Sequence, residues 1–430
     1  MRSLVMVPLL AAGMLVVPGT AASAAECRGG SDFDGDGRRD LAAGAPSAAA
    51  GGQARAGQVG VLYGDGRQEW LVPDGARWGE GFGAALAVGD LDGDRCADLA
   101  VGAPGAGTVR VYLGGAGGLR QGPVLRLPGR GDDAFGTALA AADLDGDRDL
   151  ELAVGAPGRG NGGAVAVYGL RRAGLDGREV FPASLGRKGE RKARTDAFGA
   201  VLAPGDFDGN GRAELAVGLP GAGRRGEGSV TVLDAVRSRG RTLSQAGRLR
   251  GSPERGDGFG SALAAGDFDA DGRDDLAVGV PGEALTDRNR GFGEGAVHVL
   301  YGPSFKEEGP MWNRLTRGLA GNVHRNDLFG AALAAGDLAG DKAADLAIGI
   351  PGSGAVQILR GRARRGLTAA GAELIGSGLG AAAHYGGALK IAGGVLTVGA
   401  PGAGDFTGGV YRGRTRLPVE GRGLTGFSLG

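Results

Sequence analysis

The chain has 430 residues, with 93 Gly against 18 Pro and 48 basic residues that cancel 48 acidic ones. Glycine without a strict third-residue period excludes a collagen-like rod, and the neutral balance removes any long-range field favouring nucleic acid or an anionic membrane. A chain of this length holds two ordinary domains or one large repeat array, so internal periodicity decides the architecture.

From the N-terminus, Arg2 precedes an apolar run from Leu4 to Val17, then Pro18-Gly19-Thr20 and a small-residue stretch from Ala21 to Ala25. This pattern predicts a secretory signal peptide over residues 1–25 and a mature chain over 26–430. The apolar core is too short for a stable span, and no later stretch approaches the roughly 20 apolar residues of a membrane helix. Glu26 stands where a lipid-modification site on Cys27 would need a small residue, which argues against an anchor there. Cys27 and Cys96 therefore face an oxidising compartment, where an even count favours a disulfide. That bond would close a loop of about 70 residues, for which chain-entropy models give about 4 kcal/mol.

Beyond Cys27 one unit recurs. It opens on Phe-Gly, continues through an alternating apolar run into an Asp-rich loop and Asp/Glu-Leu-Ala-Val-Gly, turns at Gly-x-Pro, and ends on Gly-x-Val-x-Val-Tyr. Phe-Gly starts stand at Phe82, Phe135, Phe198, Phe259 and Phe329, with Tyr385-Gly386 as a variant, and Gly-x-Pro marks at Pro46, Pro104, Pro157, Pro220, Pro281, Pro351 and Pro401. Seven units follow from these marks. Each contains about four short alternating runs such as Ala164 to Tyr168, separated by glycine turns, which predicts one small antiparallel sheet. Such a sheet cannot bury both faces alone, so the units must stack, and radial closure gives an all-β, seven-bladed propeller. Small residues in the first run of each unit (Ala84, Ala85 and Ala87; Ala262, Ala264 and Ala265) fit crowding near a central axis. The first unit lacks a Phe-Gly start, whereas the chain ends on Gly426-Phe427-Ser428-Leu429-Gly430. An inner strand donated by the C-terminus to the first blade accounts for both.

Five units carry oxygen ligands at loop positions 1, 3, 5 and 9. They are Asp32, Asp34, Asp36 and Asp40; Asp90, Asp92, Asp94 and Asp98; Asp143, Asp145, Asp147 and Glu151; Asp206, Asp208, Asn210 and Glu214; and Asp267, Asp269, Asp271 and Asp275. Alternate residues of a tight loop converge, and the crowded carboxylates repel unless a hard cation sits among them. Calcium, with six to eight oxygen ligands and forgiving geometry, suits the set, and a backbone carbonyl at position 7 would complete it. Bare Asp/Gly turns are the alternative reading of any single loop. In the sixth unit Ala339 replaces the third-position acid, leaving Asp337, Asp341 and Asp345 and predicting a weak or empty site; the seventh has only the turn Lys390 to Val395. Arg95 and Arg148 take the place of a turn-easing glycine at position 6.

These motifs resemble the FG-GAP repeats of the integrin α-subunit propeller. The resemblance implies calcium held in hairpin loops on one face and a ligand-binding face opposite.

Other motifs carry less. Arg130-Gly131-Asp132 and Arg255-Gly256-Asp257 spell a tripeptide known as an integrin ligand, but both precede a Phe-Gly start, so repeat ancestry explains them. The terminal Gly-x-Ser-x-Gly lacks the helix a nucleophile elbow needs. His298, His324 and His384 show no linear base-and-nucleophile pattern. Arg187, Lys188, Arg191, Lys192 and Arg194 form a basic stretch suited to an anionic polymer or to solvent. The expectation is thus a secreted, monomeric, non-catalytic recognition or adhesion module for an extracellular protein or cell-surface glycan, with no nucleic acid partner. An extracellular hydrolase with a propeller-borne active site is the alternative.

Overall fold

The computed structural model describes residues 27, 30–128, 133–170, 176–180, 196–234, 237, 239–246, 249–285, 293–305, 309–403, 408–418 and 428–430. The expected signal peptide lies outside them. The first blade contains β1 (Leu41–Ala45), β2 (Gln58–Leu62) and β3 (Gln68–Leu71). The second has β4 (Leu86–Gly89), β5 (Asp98–Ala103), β6 (Thr108–Leu113) and β7 (Arg120–Leu125), and the third β8 (Leu139–Ala142), β9 (Glu151–Ala156), β10 (Ala164–Gly169) and β11 (Asp176–Val180). The fourth comprises β12 (Val201–Gly205), β13 (Glu214–Leu219), β14 (Ser229–Asp234) and β15 (Arg239–Leu243). In the fifth stand β16 (Ala262–Gly266), β17 (Asp275–Val280) and β18 (Ala296–Leu300); where its fourth strand would lie, a single bridge joins Val297 to Trp312. The sixth has β19 (Leu333–Gly336), β20 (Asp345–Ile350), β21 (Ala355–Arg360) and β22 (Thr368–Gly376), and the seventh β23 (Ala388–Ala392), β24 (Val395–Ala400), β25 (Gly409–Arg412) and β26 (Thr415–Arg416). Finally β27 (Ser428–Leu429) pairs with β1 as the inner strand of the first blade. The fold is the expected seven-bladed, antiparallel propeller, closed by its own C-terminus.

The second strand of blades two to six is buried at every position, from Asp98–Ala103 to Asp345–Ile350. A strand inside a sheet that is itself sandwiched between two other sheets has no solvent face, which is why Leu-Ala-Val-Gly reads as a continuous apolar run. The hydrophobic clusters accordingly lie between blades. Val59, Val61 and Leu71 pack on Phe82, Leu99 and Val101, and Val297, Val299 and Trp312 pack on Phe329, Leu346 and Ile348. Where the seventh blade meets the first, the cluster among the described residues shrinks to Ala43, Ala388, Val410 and Leu429.

The glycines of the two recurring turns lie at one backbone crossing between neighbouring blades. A Cβ on Gly44 would come within 2.0 Å of the Gly83 carbonyl oxygen, and one on Gly102 within 2.1 Å of that of Gly136. Gly83 N–H in turn donates to Gly102 O at 2.9 Å, so each Phe-Gly clips its own blade while its carbonyl presses on the one before. Small residues in the inner strands answer a similar crowding: a Cβ on Gly89 would meet Leu150 Cδ1 at 2.6 Å. The Cys27–Cys96 disulfide is formed, with Cα atoms 4.8 Å apart.

Candidate metal centres

In blades two to six the acidic loop joins the first and second strands, and in the first blade it leads into β1, the second strand of that sheet, so all of them lie at the same end of their blades. The first-position carboxylate shapes the loop. Asp90 Oδ1 accepts from Gly93 N at 2.6 Å and its Oδ2 from Arg95 N at 2.9 Å, and Asp32, Asp143, Asp206 and Asp337 repeat the pattern. In the first four loops the third position accepts from the fifth residue's N–H, as in Asp94 N to Asp92 Oδ1, whereas in the fifth loop Asp271 N donates to Asp267 Oδ1. The fifth position accepts from the seventh's N–H, as in Cys96 N to Asp94 Oδ1. This ladder of Asx turns requires left-handed backbone at positions 4 and 6. Position 4 supplies Gly except at Ala270 (φ 55°), while position 6 holds Arg95, Arg148 and Lys342 at φ 74° as well as glycines.

The carboxylates converge in threes. Oxygens of Asp32, Asp34 and Asp36 lie within 4.8 Å of one another, as do those of Asp90, Asp92 and Asp98; Asp143, Asp145 and Glu151; Asp206, Asp208 and Glu214; and Asp267, Asp269 and Asp271. In the first and fifth loops the set is positions 1, 3 and 5, leaving out Asp40 and Asp275; in the second and third it is 1, 3 and 9, leaving out Asp94 and Asp147. Asn210, the fifth-position amide of the fourth loop, accepts Arg212 N through Oδ1 at 3.0 Å.

The ninth position has a task that sequence reasoning missed. Asp98 Oδ2 accepts Leu91 N at 2.8 Å and Oδ1 accepts Gly114 N at 2.9 Å, pinning the loop to the end of the third strand. Asp40 does the same with Phe33 and Gly64, Asp275 with Phe268 and Gly302, and Asp345 with Leu338 and Gly361. Burial, with neighbouring acids adding to it, pushes Asp40 and Asp98 up to about 6 and Glu151, Glu214 and Asp275 up to about 7. Adjacent loops are also wired together: Ala97 N donates to Asp32 O, Ala213 N to Asp143 O, Asp274 N to Asp206 O and Ala344 N to Asp267 O.

An oxygen-only donor set, crowded acids and a buried Asp269 Oδ1 without a hydrogen-bond partner fit a hard cation and not a thiophilic metal. These five clusters could therefore bind a metal. The sixth loop forms no such group among the described residues. Arg360 Nη1 lies 2.9 Å from Asp345 Oδ2 and Arg362 Nη1 2.8 Å from Asp341 Oδ2, so guanidinium charge takes the place of an ion. The seventh turn carries Arg39 against Gly393.

The remaining motifs resolve as structure. Asp257 is wholly buried, so Arg255-Gly256-Asp257 cannot present its carboxylate; Arg130 to Asp132 and the basic stretch from Arg187 to Arg194 lie outside the described residues. Ser428 Oγ donates to Gly83 O at 2.7 Å within the ring closure. His298 is buried against the Phe259 ring, with centroids 5.5 Å apart. His324 does meet Ser353 and Asp327, a trio invisible in the linear sequence, but the wiring is not that of a nucleophile and its base. Ser353 Oγ donates to Asp327, and both approach the same imidazole nitrogen, Nδ1, at 3.4 and 3.6 Å. A triad needs serine and acid on opposite nitrogens.

No helix among the described residues is long and apolar enough to cross a membrane. A solved protein from Lactobacillus plantarum aligns over 91% of this chain and 98% of its own at 12% identity, with a TM-score of 0.46. Integrin alpha-PS5 of Drosophila melanogaster is 38% identical over 151 residues, 32% of this chain and 15% of that protein. Integrin alpha-V of Gallus gallus is 33% identical over 230 residues, 47% of this chain and 20% of its own length. Phosphatidylinositol-glycan-specific phospholipase D of Homo sapiens is 32% identical over 155 residues, 31% of this chain and 18% of that protein. The similarity thus spans a fifth or less of these relatives. The FG-GAP repeat family matches residues 29–62, 82–118, 135–168, 198–233 and 259–300, the five units that carry the acidic clusters. With its seven closed blades and its recurring Phe-Gly and Gly-x-Pro crossings, the chain is an FG-GAP repeat β-propeller of the integrin-alpha-like kind.

Proposed function

We propose that this protein is exported, loses residues 1–25, and works over residues 26–430 as a calcium-dependent, non-catalytic recognition module for an extracellular protein or cell-surface glycan. The observation that carries the reading is the convergence of three carboxylates within 4.8 Å in five successive loops. Calcium is the hard cation best matched to an irregular oxygen set on a flexible loop, supplemented by backbone carbonyls and water. Asp32, Asp34 and Asp36, and their counterparts in the next four blades, would hold it, with the ninth-position acids as further ligands or as clasps. The ion's role is to cancel repulsion and stiffen hairpins that are already hydrogen-bonded to one another. The opposite face, built from the turns before Phe-Gly and after Gly-x-Pro, then remains for the ligand, as the likeness to integrin alpha subunits supports.

Thermal melting tests the metal step directly. An ion that binds only the folded state stabilises it by about 2.7 kcal/mol at one hundred times its dissociation constant. Chelation should lower the midpoint and added calcium restore it, and a midpoint indifferent to both would remove calcium from the reading.

A further inference from the structure

The acidic loops occupy one end of each blade, and the Phe-Gly and Gly-x-Pro turns the other. At this second end an acid stands two residues before each Phe-Gly: Glu80, Asp133, Asp196, Asp257 and Asp327. The third residue of the following Pro-Gly-x turn answers it in two blades. Arg159 pairs with Asp133 at 2.6 Å, and Ser353 donates to Asp327. In the fifth blade that residue is Glu283, and Gly282 N, just before it, donates to Asp257 O at 3.0 Å, so one buried acid stands on the turn that is bonded to the other.

Asp257 is wholly buried and Glu283 is 6% exposed. Burial raises both carboxyls, and among the described residues the charged groups acting on them are acidic too: Glu254 and Glu227 on Asp257, Asp257 and Glu254 on Glu283. Gln245, 4% exposed, reaches in from beyond β15 and donates Nε2 to Glu283 Oε2 at 2.7 Å. Its own Oε1 is buried without a hydrogen-bond partner, and so is Asp257 Oδ1. Asp257 Oδ2 is occupied by Glu254 N, at 2.5 Å. Gly251 roofs the group with backbone, since a Cβ there would lie 3.0 Å from Gln245 Nε2 and 3.5 Å from Glu283 Oε1.

Two carboxylates and an amide oxygen taken out of water together need a compensating charge. A shared proton would neutralise one acid and give one oxygen a donor, but it would leave the Gln245 oxygen orphaned. Turning the amide over would remove the donor that Glu283 now has. A hard cation satisfies every one of these atoms, because carboxylate and amide oxygens are the ligands it takes. We propose that Asp257, Glu283 and Gln245 form a cation site for a hard divalent ion such as calcium, on the face opposite the acidic loops. It would fix the turn between the fourth and fifth blades, and it stands whether or not the loops bind metal.

Two measurements decide it. Wild-type crystals soaked in Tb3+ should show an anomalous peak among the Asp257, Glu283 and Gln245 oxygens, separate from any at the loops. Saturating Tb3+ with no peak there overturns the site. Equilibrium dialysis with calcium should give one ion fewer per chain for Glu283→Gln than for wild type, and an equal count overturns it. Asp143→Asn with Asp145→Asn reports on the third loop in the same assay, so a failure of the loops is read independently of a failure here.

Discussion

A carboxylate at the ninth position of each loop is pulled two ways. Two backbone donors favour its ionised form at Asp40, Asp98 and Asp275, yet burial and neighbouring acids outweigh them and raise it. Glu151 and Glu214 are raised to about 7 for the same reasons, burial first. Unfolded carboxyls titrate near 4, at about 3.9 for Asp and 4.3 for Glu. A folded-state value above the unfolded one means that folding favours the proton, so this contribution is full below about pH 4 and is lost as pH rises through 6 to 7. In chelator, then, the melting midpoint should fall between pH 5 and 8, and Glu151→Gln should reduce the slope. Calcium, which binds only the ionised cluster, should flatten or invert it. A midpoint in chelator that climbs over that range, with Glu151→Gln making no difference, would contradict the assignment. The sixth loop supplies a sharper case. Restoring the missing acid by Ala339→Asp should add no bound ion by itself, because Arg360 and Arg362 already neutralise Asp345 and Asp341. Adding Arg362→Ala should create the site, and equilibrium dialysis counts the difference.

At the scale of the element, the repeat was legible because two constraints leave their mark on every copy. Burial on both faces makes the Leu-Ala-Val-Gly that follows each ninth-position acid apolar throughout, and the blade crossing admits no side chain at the Gly of Phe-Gly or of Gly-x-Pro. The donated inner strand was legible too, since the first unit lacked the start that the C-terminal sequence offered, and Ser428–Leu429 pairs with β1. What the sequence did not disclose depends on partners distant along the chain. The clasp from Asp98 to Gly114, the wiring of Ala97 to Asp32, the arginines over the sixth loop and the meeting of Asp257 with Glu283 join residues whose spacing carries no pattern. The fifth blade's bridge at Trp312, in place of a fourth strand, is equally unmarked. The role of the crossing can be measured. Gly102→Ala would place a methyl 2.1 Å from the Gly136 carbonyl, and backbone cannot turn aside as a side chain does. Overpacking of this kind costs about 1–3 kcal/mol or more. Arg95→Gly should act in the opposite sense, because a non-glycine residue in left-handed backbone carries a penalty of about 1 kcal/mol. Urea unfolding of the two variants should move the midpoint down and up respectively; a neutral Gly102→Ala would show that the blades can separate freely at that point.

For the whole molecule the question is where a closed ring opens. Each blade is held to the next by a buried cluster, and the first is also tied to the second through Cys27–Cys96, across 69 residues of sequence. The seventh blade meets the first through the smallest of the described clusters and through a strand of only two residues. That strand is fastened by Ser428 Oγ to Gly83 O and by Gly430 N to Ala42 O. In a stack whose stability is a sum of neighbour interfaces, the weakest one opens first. Native-state hydrogen exchange should therefore release the Ser428–Gly430 amides and their β1 partners before the second strands of blades two to six. Deleting Ser428–Gly430 should lower the melting midpoint substantially, and Leu429→Ala should cost about 2–5 kcal/mol, as for other buried leucines. Calcium bound by loops three to five should survive either change, because those loops are wired to one another and lie away from the closure. If the truncated chain melted as the intact one does, the ring would owe its stability to its interfaces alone, and the strand exchange between the two ends would be a consequence of closure instead of its cause.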